Sequence, residues 1–473
     1  SCSPDFGTAS VLDRFGQITP KVLIATDGYW YAGKRIDTRA TVQQLAAKLP
    51  GLAAVIGVGD LPGSISWQAL TAETAPLEFA ALPFYHPLYI LYSSGTTGPP
   101  KGIVHGAGGT LLQHLKEQLL HVDLHRDDRL FYFTTCGWMM WNWLVSGLAS
   151  GATLVLYDGS PMHPDFGALW RMADEEGITI FGTSARYLAS LAKSGTRPRD
   201  TSVLKTVRTI LSTGSPLAPE TFDAVYDIVK TDVQLASISG GTDICGCFVL
   251  GNPLLPVRRG ELQCAGLGMA VDIVDADGKP LPQGRGELVC TRPFPSQPVS
   301  FWSDADGAKY RAAYFERFPG IWAHGDYAER TPSGGFIIHG RSDATLNPGG
   351  VRIGTAELYR AVETVAEVLE SLAIGQRWHG DERIVLFVVL RAGHTLDEAL
   401  TAKIRSTVRR VLSPRHVPAK VLQVPDLPRT RSGKLTELAV RAVVHGEPAG
   451  NEEALANPEA LGHFRDRVEL TQP

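Results

Sequence analysis

The sequence predicts an α/β protein with a large N-terminal domain and a small, mobile α+β C-terminal domain. Three observations support this class. The chain has 473 residues, more than one compact core usually accommodates. Short apolar runs typical of buried strands, such as 88–92 and 153–157, alternate with segments of helical apolar spacing, such as 111–120. Beyond residue 341, a turn-rich stretch is followed by a separate set of strand and helix candidates.

The large domain is expected to contain substantial parallel sheet, because its strand candidates alternate with helix candidates. Further apolar runs at 22–25 and 179–181 are typical of strands, and 222–229 has helical spacing. The run 271–274, the turn residues Asp277 and Gly278, and the run 286–290 predict an antiparallel hairpin. The large domain is therefore expected to mix parallel and antiparallel layers.

The domain boundary is predicted between residues 341 and 342, giving domains 1–341 and 342–473. Asp343 is the expected hinge, because a turn at 347–350 follows it directly and a new helix is predicted from Thr355. Within the small domain, 385–390 is a strand candidate and 400–411 a helix candidate.

Composition narrows the possible partners. The chain carries 45 basic and 49 acidic side chains, a formal charge of −4, without a basic block. We therefore expect neither nucleic acid nor a membrane surface as partner, and the sequence leaves the oligomeric state open. Its six cysteines are sparse and show no CxxC spacing, which favours a reducing, cytoplasmic location.

The segment 92–102, YSSGTTGPPKG, has the composition of a phosphate-binding loop. It follows an apolar strand candidate, and its glycines allow backbone N–H groups to turn toward an anion. An ordinary surface turn is the alternative interpretation, since the same residue types form turns. A P-loop kinase or ATPase is disfavoured, because the pattern GxxxxGK[ST] is not matched. The candidate ATP-binding residues of this loop are Ser93, Ser94, Gly95, Thr96, Thr97 and Lys101.

This loop resembles the signature loop of the adenylate-forming superfamily, which contains acyl-CoA synthetases, luciferases and the adenylation domains of peptide synthetases. Further motifs resemble those of the superfamily in the same order and extend the likeness to about three quarters of the chain. They are Gly214-Ser215-Pro216, Gly240-Gly241-Thr242-Asp243, Gly286-Glu287-Leu288, His324-Gly325-Asp326, Gly340-Arg341-Ser342-Asp343 with Gly350-Val351-Arg352-Ile353, and the PRTRSGK loop that ends at Lys434.

The resemblance implies a first half-reaction in which a carboxylate attacks the α-phosphorus of ATP. Lys434 is the implied adenylation lysine, and Thr242 would donate to the α-phosphate. Asp243 would hold Mg²⁺, although the superfamily usually has Glu at this position. The other implied ATP contacts are Gly214, Ser215, Pro216, Asp326, Arg341 and Arg352.

The resemblance also implies a second half-reaction, in which CoA attacks the acyl-adenylate. Lys434 and the CoA thiol cannot occupy the same place, so the small domain would rotate about Asp343 between the two steps. Gly349 and Gly350 would then approach the pantetheine arm of CoA, and Arg409 would bind a nucleotide phosphate of CoA.

The acyl substrate is predicted from resemblance to one group within the superfamily. Gly240 stands where acetyl-CoA synthetases have a tryptophan that closes the pocket, so we expect room for a longer acyl chain. Met139 and Met140 are the expected pocket walls, with simple core packing as the alternative for each. Passages such as FPSQPVSFW and LSPRHVPA resemble acetoacetyl-CoA synthetases and predict ligation of acetoacetate, with ATP, Mg²⁺ and CoA.

Three alternatives stay open at this point. The substrate could be another short-chain carboxylate. The chain could be an inactive nucleotide-binding fragment, because only 91 residues precede Tyr92 and the large domain is expected to be incomplete at its N-terminus. An adenylation domain that loads a carrier protein is disfavoured by the short stretch that follows Lys434.

Overall fold

The computed structural model describes residues 1–92, 100–346, 348, 353–379, 381–430, 433–449, 452 and 455–472. The α-helices are α1 (Thr8–Ile18), α2 (Arg39–Lys48), α3 (Trp67–Leu70), α4 (Ala107–Lys116), α5 (Met139–Ser146), α6 (Ala168–Glu175), α7 (Ala185–Ser194), α8 (Pro219–Ile228), α9 (Ala308–Tyr314), α10 (Thr355–Val362), α11 (Glu398–Val411) and α12 (Glu437–Val444). A π-helical segment, Glu117–His121, continues α4.

The strands of the N-terminal half are β1 (Val22–Thr26), β2 (Gly28–Tyr31), β3 (Lys34–Asp37), β4 (Ala54–Val58), β5 (Ile65–Ser66), β6 (Pro87–Tyr92), β7 (Gly102–Gly106), β8 (Arg129–Tyr132), β9 (Thr153–Val155), β10 (Ile180–Ser184), β11 (Thr209–Thr213) and β12 (Gln234–Ser237). The strands that follow are β13 (Ser239–Gly241), β14 (Gly246–Leu250), β15 (Cys264–Ala265), β16 (Val271–Val274), β17 (Gly284–Cys290), β18 (Ser300–Phe301), β19 (Trp322–Arg330), β20 (Phe336–Arg341), β21 (Val368–Trp378), β22 (Asp381–Leu390) and β23 (Lys420–Gln423).

The centre of the large domain is a parallel sheet of strand order β12-β11-β10-β8-β9. Helices α6, α7 and α8 supply apolar side chains that pack against it in one buried cluster. Within this cluster the Trp170 ring stacks on Phe181 with centroids 4.2 Å apart. The predicted α/β class is confirmed, because apolar strands covered by amphipathic helices are what a parallel sheet requires.

Antiparallel sheets complete the large domain. The strand order of the largest is β16-β17-β19-β20, and two smaller sheets have the orders β13-β14-β15 and β18-β7-β6. Strand β16 pairs with β17 in antiparallel register, with Val271 opposite Cys290. The predicted hairpin around Asp277 and Gly278 is therefore confirmed.

The first 70 residues form a smaller layer. Strands β1, β4 and β5 pair in parallel, and α1 and α2 bury a compact apolar cluster against them that includes Val11, Leu23 and Leu45. Strands β2 and β3 form a separate antiparallel hairpin.

The small domain is an α+β unit. Strands β21 and β22 pair antiparallel, β23 joins β22 in parallel, and α10, α11 and α12 cover the sheet. Helix α10 begins at Thr355, as predicted. No helix in the described part of the chain is long and apolar enough to cross a membrane.

The predicted hinge, Asp343, lies in the short 3-10 turn Ser342–Ala344 that follows β20. The Ser342 hydroxyl donates a hydrogen bond to the buried Glu287 carboxylate of β17. Arg341 Nε lies 3.7 Å from the Asp343 carboxylate. The turn thus joins the two domains while Asp343 stays exposed; the boundary at residues 341 and 342 remains a prediction.

Candidate functional site

The candidate site lies at the carboxyl ends of the parallel strands, the edge where open α/β sheets usually bind ligands. Strand β11 ends at Thr213, and Gly214 follows with φ of +93°, a backbone conformation that favours glycine. The Thr213 hydroxyl donates to the Ile238 carbonyl oxygen at 2.8 Å and so links this turn to the residue between β12 and β13. The predicted motif containing Thr242 and Asp243 follows β13 directly.

Asp243 is anchored by an aromatic hydroxyl. Tyr314 of α9 donates to Asp243 Oδ1 at 2.7 Å, and the Tyr314 ring stacks on Trp322 with centroids 3.7 Å apart. Burial alone would raise the pKa of Asp243, but the Tyr314 hydrogen bond and the nearby His324 and Arg341 hold it below its usual value. Asp243 is therefore a fixed, ionised carboxylate at neutral pH.

A row of buried ionisable side chains holds the segment that follows β13. We call this row the buried ladder, and it consists of His105, His114, Glu117 and His121. Each member hydrogen-bonds a main-chain group between residues 242 and 251. The contacts are His105 Nε2 to the Thr242 oxygen at 2.9 Å, His114 Nε2 to the Cys245 oxygen at 2.6 Å, the Cys247 nitrogen to Glu117 Oε1 at 2.7 Å, and His121 Nδ1 to the Gly251 oxygen at 2.7 Å.

The histidines of the buried ladder are neutral at physiological pH. Burial lowers the pKa of His105 to about 4 and that of His114 also to about 4, while burial lowers the pKa of His121 as well. In each case the ring N–H that faces a carbonyl oxygen must be the donor, which fixes the tautomer. The three histidines thus hold the main chain beside Thr242 without adding positive charge there.

Asp326 is held opposite Arg341 across the β19–β20 pair. Arg341 Nη1 donates to Asp326 Oδ1 at 3.1 Å and to the His324 carbonyl oxygen at 3.2 Å. Gly325 has φ of +80°, and a Cβ atom there would lie 2.7 Å from Arg341 Nη2. Glycine at 325 therefore allows the guanidinium to approach, and the buried Asp326 carboxylate keeps oxygen lone pairs for a ligand.

Lys434 of the small domain lies within electrostatic range of these same groups. The loop that carries it closes through the Thr430 nitrogen, which donates to the Lys434 carbonyl oxygen at 2.8 Å. The Lys434 side chain still reaches solvent, yet the surrounding protein lowers its pKa. Arg341 lowers this pKa further, whereas Asp326 and Asp243 raise it, so the lysine lies within electrostatic reach of all three.

A cavity of about 80 Å³ extends from α5 to the lysine loop. Its lining includes Leu91, Trp138, Met139 and Asn142, together with Thr242 and Thr430. The cavity therefore brings apolar and polar side chains together beside Thr242 and the loop that carries Lys434, and its volume suits a small carboxylic acid.

Comparison with known proteins agrees with this geometry. Residues 2–297 match the family model described as AMP-binding enzyme, and residues 358–434 match the AMP-binding enzyme C-terminal domain. The chain belongs to the AMP-binding enzyme family.

Relatives in this family include an acetoacetyl-coenzyme A synthetase of Rhizobium meliloti strain 1021, which is 60% identical over 99% of this chain and 74% of its own length. A malonamoyl-CoA synthetase of Penicillium aethiopicum is 43% identical over 98% of this chain and 68% of its own length. The solved structure of an acetoacetyl-CoA synthetase from Streptomyces lividans superposes with a TM-score of 0.94 at 46% identity, covering 100% of this chain and 74% of that one.

Several predicted site residues of this AMP-binding enzyme lie outside the described part of the chain. Lys101 lies directly before β7, with Nζ 5.8 Å from the centre of the Phe301 ring. Arg409 lies exposed on α11 and lines a surface groove of the small domain. The predicted residues outside the described ranges are Ser93, Ser94, Gly95, Thr96, Thr97, Gly349, Gly350 and Arg352.

The predicted acyl-pocket residues divide into two groups. Met139 lines the cavity, whereas Met140 is almost fully buried in the apolar cluster beneath it. A Cβ atom on Gly240 would lie 1.9 Å from the Gly246 carbonyl oxygen. The space beside Gly240 is filled by the β14 backbone, so the glycine permits close strand contact, and the expected opening for an acyl chain is not found at that point.

Sequence reasoning missed the residues that position the site. Tyr314 and the buried ladder lie in helices and strands whose sequences contain no recognised motif. His105, at the end of an apolar strand, offered the only signal, since a histidine buried in a sheet needs a polar partner.

Proposed function

We propose that this chain is an acid:CoA ligase that converts acetoacetate, ATP and CoA into acetoacetyl-CoA, AMP and pyrophosphate through an acyl-adenylate. The observation that carries this proposal is the convergence of Lys434 with Asp243, Asp326 and Arg341 above a cavity sized for a small acid. Such an arrangement brings a carboxylate and a nucleotide phosphate together beside a cation.

In the first half-reaction, the main obstacle is the crowding of negative charge as the carboxylate approaches the α-phosphate. Lys434 would bridge the two anions and offset their repulsion. Thr242 would donate to the α-phosphate, and Asp326, held by Arg341, would accept hydrogen bonds from the ribose hydroxyls. The turn Gly214-Ser215-Pro216 would contact the adenine, and the loop at 92–102 would hold the outer phosphates.

Asp243 fits the proposed Mg²⁺ ion as a single protein ligand. Among the described residues, no group of three or more acidic, histidine or cysteine side chains is arranged to hold a metal by itself. Mg²⁺ commonly binds through one or two carboxylates together with substrate phosphates, so one ionised aspartate is sufficient. When bound, the ion would neutralise charge on the phosphates.

In the second half-reaction, the CoA thiol must reach the acyl carbonyl that Lys434 faces. We infer that the small domain turns about Asp343 and exchanges the lysine loop for the segment carrying Gly349 and Gly350. Arg409 is then the proposed contact to a CoA phosphate, supported by its exposure on α11.

Acetoacetate is the favoured acid because the acetoacetyl-CoA synthetase relatives span nearly all of this chain. Malonamate is the second candidate, favoured by the 43% identical malonamoyl-CoA synthetase. Both acids carry a carbonyl group at the β carbon. We place the protein in the cytoplasm, supported by six cysteines that all have free thiols.

The test is a complete product balance with purified protein. Acetoacetate, ATP, Mg²⁺ and CoA should yield acetoacetyl-CoA, AMP and pyrophosphate in equal amounts, measured by chromatography. Malonamate, acetate and butyrate serve as parallel substrates. Formation of ADP and phosphate, or turnover with none of the four acids, would overturn the proposal.

A further inference from the structure

The cavity beneath the lysine loop contains one buried amide. Asn142 lies one helical turn after Met139 on α5, so both side chains face the same space. The Asn142 residue is only 7% exposed, which is unusual for an asparagine unless its amide has hydrogen-bonding partners.

The Asn142 amide neighbours the Tyr89 hydroxyl. Burial raises the pKa of Tyr89, and the side chains of Asn142 and Ser146 partly offset this rise. The Ser146 hydroxyl lies 2.8 Å from His114 Nδ1, and His114 belongs to the buried ladder. The amide is therefore connected to the same framework that positions Thr242, and an asparagine amide with two N–H groups can serve Tyr89 and still donate into the cavity.

The position of Asn142 suits the far end of the substrate. Thr242, Thr430 and Asn142 of α5 line the same cavity. Since the carboxylate is proposed to react beside Thr242 and Lys434, Asn142 is left to contact the rest of the acyl chain. The cavity lining combines the apolar Leu91, Trp138 and Met139 with polar and charged side chains such as Thr135 and Asp5. Asn142 provides the side-chain amide of this lining, and a neutral N–H donor is suited to a neutral carbonyl oxygen at the β carbon.

We propose that the Asn142 amide donates a hydrogen bond to the β-carbonyl oxygen of the acid and so selects β-keto acids over plain fatty acids. This proposal rests on the ligase function proposed above. The same donor could recognise either acetoacetate or malonamate, since both acids have a β-carbonyl oxygen. A site built around this donor rejects an acid without the oxygen, because the amide N–H is then left buried and unpaired.

Arg14 is a second nitrogen donor in the cavity lining, and the observations favour Asn142. Arg14 Nη1 already donates to the Ser10 carbonyl oxygen and hydroxyl, both at 2.7 Å, and its guanidinium lies over the Phe6 ring at 5.1 Å. A cation occupied in this way is poorly suited to read a neutral ketone.

The experiment compares kcat/KM for acetoacetate and for butyrate, which has the same chain length without the β oxygen. Asn142→Leu preserves the approximate size of the side chain and removes the donor. Asn142→Asp preserves the shape and replaces the amide by an acceptor. Each should lower the acetoacetate-to-butyrate ratio about tenfold or more, mainly through loss of acetoacetate turnover.

Two further variants make the result decisive. Asn252→Leu removes an asparagine outside the cavity lining and should leave the ratio unchanged, and Arg14→Met should also leave it unchanged. Thermal unfolding of every variant separates loss of selectivity from loss of fold. An unchanged ratio in folded Asn142→Leu, or a collapse of the ratio in Arg14→Met alone, would overturn the assignment. Failure of the wild-type protein to use acetoacetate would instead reject the proposed function.

Discussion

The large domain and the small domain contribute to the site in different ways. The turn carrying Thr242 and Asp243 is held by the buried ladder and by Tyr314, within the protein interior. The small domain contacts the large domain through ion pairs that are partly exposed, although the Glu357 carboxylate is buried. These pairs are Lys193–Glu363 at 3.4 Å, Arg186–Glu370 at 3.7 Å and Arg285–Glu357 at 2.8 Å.

The contrast indicates which part of the site is fixed and which part can move. Breaking a buried hydrogen bond to a main-chain group is costly, because leaving that group buried and unpaired lowers the folding stability by about 1–3 kcal/mol. Ion pairs that remain accessible to water, such as Lys193–Glu363 and Arg186–Glu370, contribute roughly 0–1 kcal/mol each. We therefore propose that the turn carrying Thr242 is fixed and that the small domain carrying Lys434 moves between two successive reactions of one carboxyl group.

The largest expected effect comes from removing the mobile cation. Lys434→Ala should slow acid-dependent ATP–pyrophosphate exchange by about 10²–10³-fold, because charge at the transition state is left unopposed. Thioester formation from supplied acyl-adenylate and CoA should survive. Lys403→Ala, which removes an exposed lysine of the same domain, is the control. Equal loss of both half-reactions would show that Lys434 is not specific to adenylation.

A smaller effect is expected from restricting the backbone at the predicted hinge, Asp343. Asp343→Pro places proline in the 3-10 turn Ser342–Ala344, where it fixes φ at residue 343 and disfavours helical geometry at Ser342. Domain rotation should be restricted, so CoA thioester formation should fall by about tenfold or more while pyrophosphate exchange persists.

The control for the hinge is Asp343→Ala, which removes the carboxylate beside Arg341 but leaves the backbone free. If Asp343→Ala and Asp343→Pro behave alike, the effect belongs to the side chain. A stable proline variant with both half-reactions intact would place the hinge elsewhere.

The smallest expected effect tests the buried ladder that holds the turn carrying Thr242. His105 has a pKa of about 4 in the fold against about 6.5 in an unfolded chain, so acid protonates the unfolded state first. The stability contributed by neutral His105 is complete above pH 6.5 and declines as the pH falls toward 4. The midpoint of thermal unfolding should therefore drop between pH 7 and pH 5, and His105→Gln should reduce this drop by a few degrees.

His125→Gln is the matched control for the pH dependence, because His125 is exposed and lies outside the buried ladder. Its pH dependence should equal that of the wild-type protein. A His105→Gln variant with an unaltered pH dependence would remove His105 from the explanation. The His105→Leu variant has no donor for the Thr242 carbonyl oxygen, and we expect it to bind nucleotide more weakly. That loss of affinity would identify the structural role of the hydrogen bond.

The sequence predicted the fold, which the structure confirms, and it indicated the proposed reacting residues, but it did not indicate the residues that hold them. Periodicity located α10, α11 and the β16–β17 hairpin because each has a local apolar pattern. Motif resemblance indicated Asp243, Asp326 and Lys434 because their chemistry depends on short local spacings. Tyr314 lies 71 residues from Asp243, and the ladder contacts span 130 residues or more, so no local pattern encodes them.

Gly240 illustrates a second limit. A missing side chain in the sequence was interpreted as empty space, whereas the fold fills that space with the backbone of Gly246. Whether a glycine opens a pocket or admits a neighbouring strand depends on tertiary packing. The same holds for Met139 and Met140, which are adjacent in sequence but lie at the cavity and in the core, respectively.

The most direct test of the account is a single-turnover measurement without CoA. Purified protein mixed with ATP, Mg²⁺ and acetoacetate should release about one pyrophosphate per active site and retain an equal amount of acetoacetyl-adenylate, detected after acid quench. Addition of CoA should then convert the retained adenylate into acetoacetyl-CoA and AMP. Pyrophosphate release only after CoA is added, with no adenylate retained beforehand, would contradict the two-step chemistry on which the roles of Lys434 and the hinge depend.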